Sequence, residues 1–195
     1  MENDEKLMTG EESLKIITEM INKTKMNVKQ GSFQLLFWGW LILFCSLSEF
    51  LLINLTDYPT PWYIWWLVVP GILVSIIYGM VKGKKEHVHT YAERIYMWTW
   101  LAFMVVAILM FVFIRPHYEL FPVLILMLAG FPTFISGIIL RFRPLMLGGI
   151  SFWIFSVITF LVGQSVVPLI VSIAMFTGYL IPGYMLKRKD SYGTI

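Results

Sequence analysis

Six apolar runs divide the chain, near 33–53, 62–81, 95–114, 120–140, 145–163 and 166–186. Each approaches or reaches the roughly 20 residues that carry a helix across about 30 Å of hydrocarbon. In lipid, a helix satisfies its backbone N–H and C=O groups within one segment. The pattern therefore predicts an all-α, polytopic membrane protein with six transmembrane helices in three hairpins over 33–186. A polar N-terminal segment, 1–32, precedes them and a short tail, 187–195, follows.

Composition agrees. Apolar residues make up 58% of the 195 positions and charged residues 14%, so lipid, not water, is the solvent for most of the chain. The few charges fix an orientation. Of the fifteen lysines and arginines, five lie in 1–32, four in 82–94, two at Arg141 and Arg143, and three at Lys187, Arg188 and Lys189. Arg115 alone falls in an intervening loop. By the positive-inside rule both termini are expected in the cytoplasm. The net charge of +3 follows from this topology, and no basic patch is dense enough for nucleic acid.

Trp38, Trp40, Tyr58, Trp62, Tyr63, Trp65, Trp66, Tyr96, Trp98 and Trp100 cluster where helices should meet headgroups. An aromatic belt accounts for them; an aromatic ligand cage is the sharper alternative. Residues 1–32 are too polar for a cleavable leader, so the first span is expected to remain as an anchor. Cys45 is the lone cysteine, which excludes an intrachain disulfide and a cysteine metal cluster; it reads as a small packing residue.

Within the N-terminal segment, residues 9–30 predict an amphipathic helix. Thr9 and Glu12 have capping-box spacing, and Leu14, Ile17, Ile21, Thr24 and Val28 recur every three or four positions. Acidic Glu11, Glu12 and Glu19 precede basic Lys23, Lys25 and Lys29, in the order that complements the helix dipole. Three partners fit such a face: the headgroup plane, the helix bundle itself or a second protomer, and another protein.

Small residues recur at four-residue spacing in the even-numbered spans: Gly71, Ser75 and Gly79; Ala129, Thr133 and Gly137; Ala174 and Gly178. Such stripes let helices approach closely, so these faces are expected to point inward and the bulky odd spans outward. Each even span also holds a proline, Pro70, Pro132 or Pro182, expected to kink its helix. Trp40 to Pro70, Trp100 to Pro132 and Trp153 to Pro182 are 30, 32 and 29 positions apart, as in a degenerate parallel repeat. The prolines stand 12, 9 and 5 positions before the next basic residue, however, so their depths differ.

Candidate chemistry is sparse. Glu49 is the ionisable residue set clearly inside an apolar run, and an intramembrane carboxylate is a candidate ion or proton site because leaving it unpaired is costly. It is expected near the loops bearing Asp57, Arg115, His117 and Glu119, with Arg115 as a possible partner; the plain alternative is that it reaches interfacial water. Glu86, His87, His89 and Glu93 are potential metal ligands, but the positive charge of Lys82, Lys84, Lys85 and Arg94 around them disfavours a cation; a solvated loop is the plainer reading, with histidine-dependent pH sensing the next. No H-E-x-x-H, G-x-S-x-G or P-loop is present, so neither an enzyme nor a cofactor is indicated. Asn54-Leu55-Thr56 matches a glycosylation sequon, a motif common by chance.

The segments ESLKIITEMI, FWGW, PWYIWW, VHTYAERIYMWTW, GFPTFISG and GYLIPGYMLK resemble those of small six-span membrane proteins of Bacteroidetes bacteria, along most of the chain. The resemblance implies the six-span fold and carries no mechanism or catalytic residue. Two function classes remain. The first is a non-enzymatic accessory, assembly or sensing component that associates with lipid, with a second copy or with a protein through residues 9–30. The second is a small-solute or ion transporter with a site between the kinked even helices and Glu49.

Overall fold

The computed structural model describes residues 10–56, 58–83 and 91–191, with side chains over 32–56, 58–81, 94–114 and 117–188. It is all-helical, and no strand occurs among the described residues. Six helical stretches are long and apolar enough to cross a membrane: Ser32–Leu55, Pro61–Val81, Arg94–Phe113, His117–Ile139, Arg143–Leu161 and Val167–Arg188. They match the six apolar runs to within a few residues. The start of the first span and the end of the sixth lie together, where Gly183 packs on Leu35 and Leu36; the opposite end of the bundle is called the far end below.

Helix α1 is a single run of 46 residues, Gly10–Leu55. At 1.5 Å per residue it is about 69 Å long, twice the thickness of the hydrocarbon. The two helices expected at 9–30 and 33–53 are therefore one. A lone glycine at position 31 costs a helix only about 1 kcal/mol, too little to break it. The helix continues without the break on which an in-plane segment would turn. Thr9 of the capping box lies outside the described residues, as do the side chains of the apolar stripe of 9–30.

A 3-10 turn, Pro61–Leu67, opens with proline, whose missing N–H would be unpaired there anyway, and runs directly into α2, Val68–Gly83. Helix α3 spans Tyr91–Phe113, and a second 3-10 turn, Arg115–Leu120, leads into α4, Phe121–Ile139. Helix α5 covers Arg143–Leu161. The last span is α6, Val167–Met175, a π-helical turn, Phe176–Leu180, and α7, Ile181–Ser191.

The α4–α5 corner is closed by a Schellman arrangement. Phe142 N–H donates to the Gly137 carbonyl at 2.8 Å and Arg141 N–H to the Ile138 carbonyl at 3.0 Å. Arg141 occupies the left-handed position at φ 48°, a place that ordinarily favours glycine. Phe142 turns inward and is buried, while Arg141 stays exposed.

The most extensive helix pairing is α4 against α5, and α1 packs along the whole sixth span. Leu126, Leu145, Phe152, Val171, Ala174 and Tyr179 form the core of this block, with Phe152 meeting the Tyr179 ring edge to face at 4.9 Å. The block holds because small residues meet large partners. A Cβ on Gly149 would sit 2.7 Å from the Phe134 backbone nitrogen, and one on Gly148 would sit 2.5 Å from the Gly178 carbonyl oxygen. Gly137 lies against the Met146 backbone, Gly178 against the Phe152 ring, and Gly130 against the Trp153 indole. Hydroxyls and an indole add ties, Ser156 Oγ to the Val123 carbonyl at 2.8 Å and Trp153 Nε1 to the Met127 carbonyl at 3.1 Å.

The expected division into inward even spans and outward odd spans does not hold. The fifth span is central, with Leu145, Gly148, Gly149, Phe152, Ser156 and Thr159 buried, whereas the second is peripheral. Ala129, Thr133, Gly137, Ala174 and Gly178 are buried as expected. In α2, Gly71 meets Leu41 and Ser75 Oγ donates to Gln34 Oε1 at 3.0 Å, but a Cβ on Gly79 would find nothing within 4 Å. Among the described residues, Gly79 is thus without a packing partner. Regular small-residue spacing creates a smooth face; a partner must still be delivered to it.

The three prolines also differ. Pro70 stands in the first turn of α2, where its lack of an N–H is tolerated, and not in mid-helix; it is solvent- or lipid-exposed. Pro132 is inside α4 and buried; Thr133 and Ser136 donate to the Ala129 and Pro132 carbonyls at 2.7 and 2.6 Å. Pro182 directly follows the π turn. Its ring would clash with the Gly178 carbonyl in a regular α-helix, and the wider turn accommodates that clash.

Candidate functional site

Glu49 lies about 9 Å before the end of α1, within the first span and toward the far end. The 3-10 turn after α1 folds back so that Trp65 Nε1 donates to Glu49 Oε2 at 2.8 Å. Trp65, assigned to the aromatic belt by sequence, therefore faces the carboxylate. Tyr58, Trp62, Tyr63 and Trp66 do remain exposed at this end. Neighbouring bonds fix the same stretch of helix. Cys45 is fully buried with Sγ 3.6 Å from the Ile64 carbonyl, and Ser46 Oγ donates to the Pro168 carbonyl at 2.5 Å. Asn54 Nδ2 reaches the Ser165 carbonyl at 3.2 Å, tying α1 to the loop before α6.

A cleft of about 410 Å³ opens beside Glu49. Its polar wall is Glu49, Tyr118, Glu119, Gln164 and Ser165; its apolar wall is Ile53, Pro122, Val167 and Pro168. Five segments contribute: α1, the turn before α4, the start of α4, the loop after α5, and the start of α6. Glu119 is half exposed, with Oε1 3.4 Å from His117 Nδ1. Among the described residues Glu49 makes no ion pair. Pairing with Arg115, and any role of Asp57, rests on side chains outside the described residues, as does the Glu86, His87, His89 and Glu93 loop.

The cleft does not extend along the kinked helices. Between Pro132 and Pro182 the bundle is filled by Thr133, Phe152, Ala174, Tyr179 and Leu180, all buried. Thr133 Oγ1 lies 3.4 Å from the Tyr179 hydroxyl, so the polar atoms of this region pair with one another. Glu49 and the prolines expected to kink the even spans, linked in one candidate transport site by the sequence, are thus in different places. Sequence reasoning found Glu49 and placed Glu119 near it, because both are charges beside apolar runs. It passed over Trp65 as a member of the belt, and over Gln164 and Ser165 because a short polar loop carries no signal of its own.

The fold and this cleft define a six-span, all-helical, multi-pass membrane protein. No family model, curated protein or solved structure matches the chain.

Proposed function

We propose that the protein is a non-enzymatic sensing or assembly component of a bacterial cytoplasmic membrane, with both termini in the cytoplasm and the Glu49 cleft facing outward. The observation that carries this reading is α1, a single uninterrupted helix from Gly10 to Leu55 that bears Glu49 near one end and the amphipathic segment at the other. A continuous helix moves as a unit, so occupancy or charge at Glu49 biases the position of residues 10–31 directly. The lysine and arginine distribution supports the orientation. The filled centre between Pro132 and Pro182 favours sensing over transport, since transporters usually hold substrate near the midplane.

A spin label at Ile21→Cys, in a Cys45→Ala background, reads the cytoplasmic segment in liposomes. The sensing reading expects Glu49→Gln, which mimics a neutralised site, to change the label's mobility or lipid accessibility. An unchanged label, together with cation or solute uptake into proteoliposomes that Glu49→Gln abolishes, would establish transport instead.

A further inference from the structure

From the cleft at the far end we infer a binding site for a small organic ammonium group, either that of a free amine or that of a zwitterionic lipid headgroup. The inference rests on reading this cleft as the input of a sensing protein, and it adds the chemistry of the ligand.

Three features of the geometry point to this class. First, the size suits a small organic molecule: about 410 Å³ lies within the range of ligand pockets and is far more than a bare metal ion fills. Second, the donor set is wrong for a metal. Among the described residues no three histidine, cysteine, aspartate or glutamate side chains gather as a metal site. Apolar groups form one wall of the cleft, as the carbon body of an amine requires. Third, Glu49 is prepared for a cation. Trp65 Nε1 donates to Oε2 at 2.8 Å, and no other hydrogen bond to the carboxylate occurs among the described residues. A carboxylate within a span is costly without a positive partner, and a bound ammonium supplies one. Glu119 adds negative charge at the rim, with His117 the basic side chain beside it. The Gln164 amide, the Ser165 hydroxyl and the Tyr118 ring, which suits a cation on its face, complete the polar side.

The test uses the full chain in nanodiscs of phosphatidylglycerol, a lipid without an ammonium group. Ethanolamine is titrated by calorimetry, with ethylene glycol as an uncharged probe of the same size. Saturable ethanolamine binding is expected, weakened at least about tenfold by Glu49→Gln and about threefold by Glu119→Gln, with ethylene glycol silent. Glu119→Gln sits on an exposed turn and reports on binding even where Glu49→Gln perturbs the fold. In mixed discs, native mass spectrometry that finds phosphatidylethanolamine retained over phosphatidylglycerol by the wild type, and not by Glu49→Gln, identifies the headgroup as the source. The inference is overturned if neither ethanolamine nor phosphatidylethanolamine distinguishes the wild type from both variants, or if ethylene glycol binds as well as ethanolamine. Binding with an unresponsive Ile21→Cys label would overturn the sensing reading and leave the ammonium site standing.

Discussion

Helices α2 and α5 are both apolar spans with glycines and a serine on them, yet α5 is built into the centre and α2 hangs at the edge. In α5, Gly148 and Gly149 meet the backbone of two other helices, and Ser156 binds a carbonyl of α4. In α2, Gly71 and Ser75 meet Leu41 and Gln34 of α1, Tyr78 stacks on Phe33 at 3.9 Å, and a Cβ on Gly79 would find nothing within 4 Å among the described residues. The difference shows what holds helices together when the solvent is lipid. Apolarity gives no preference for a neighbouring helix over an acyl chain, so association depends on close steric fit and on polar ties. The span α5 has both at several levels and against two other helices, whereas the close fits and the polar tie described for α2 are to α1.

Substitutions sharpen this contrast. The largest effect is expected at Gly149→Ala, where the new methyl meets the Phe134 backbone and not a movable side chain; unfolding in mixed detergent–SDS micelles should show a loss of about 3 kcal/mol. Ser136→Ala comes next. It leaves the Trp100 indole, now 3.2 Å from Ser136 Oγ, without that partner, and should cost about 1 kcal/mol and loosen α3, read by faster proteolysis in the segment before it. Arg141→Gly relieves the left-handed residue at the α4–α5 corner and is expected to raise stability by about 1 kcal/mol in the same unfolding assay. Gly79→Ala should be smallest, neutral or stabilising by up to about 1 kcal/mol, because it improves helix propensity and meets nothing. A substantial loss at Gly79 would mean that α2 packs against a further partner in the membrane, such as a second copy.

The cleft was partly visible before the fold. Glu49 stands out because a single charge interrupts an apolar run, a signal contained in its immediate neighbours. Its surroundings gave no such signal. Trp65 lies 16 positions away and matches a belt residue in composition; Gln164 and Ser165 are more than a hundred positions away in a loop of five residues. Likewise Ser136 and Trp100 each look ordinary, and their hydrogen bond exists only because α3 lies against α4.

By itself, the sequence determined how many helices are long and apolar enough to cross a membrane, and where each begins and ends to within a few residues. These are local properties, set by the length of an apolar run against a fixed hydrocarbon thickness. The tertiary structure alone decided that the fifth span is central and the second peripheral, that Pro70 opens a helix while Pro182 follows a π turn, that the two N-terminal helices are one, and that Trp65 turns toward Glu49. Packing belongs to pairs of surfaces: Gly149 matters because Phe134 faces it, and Gly79, with the same side chain and the same spacing, does not because nothing does.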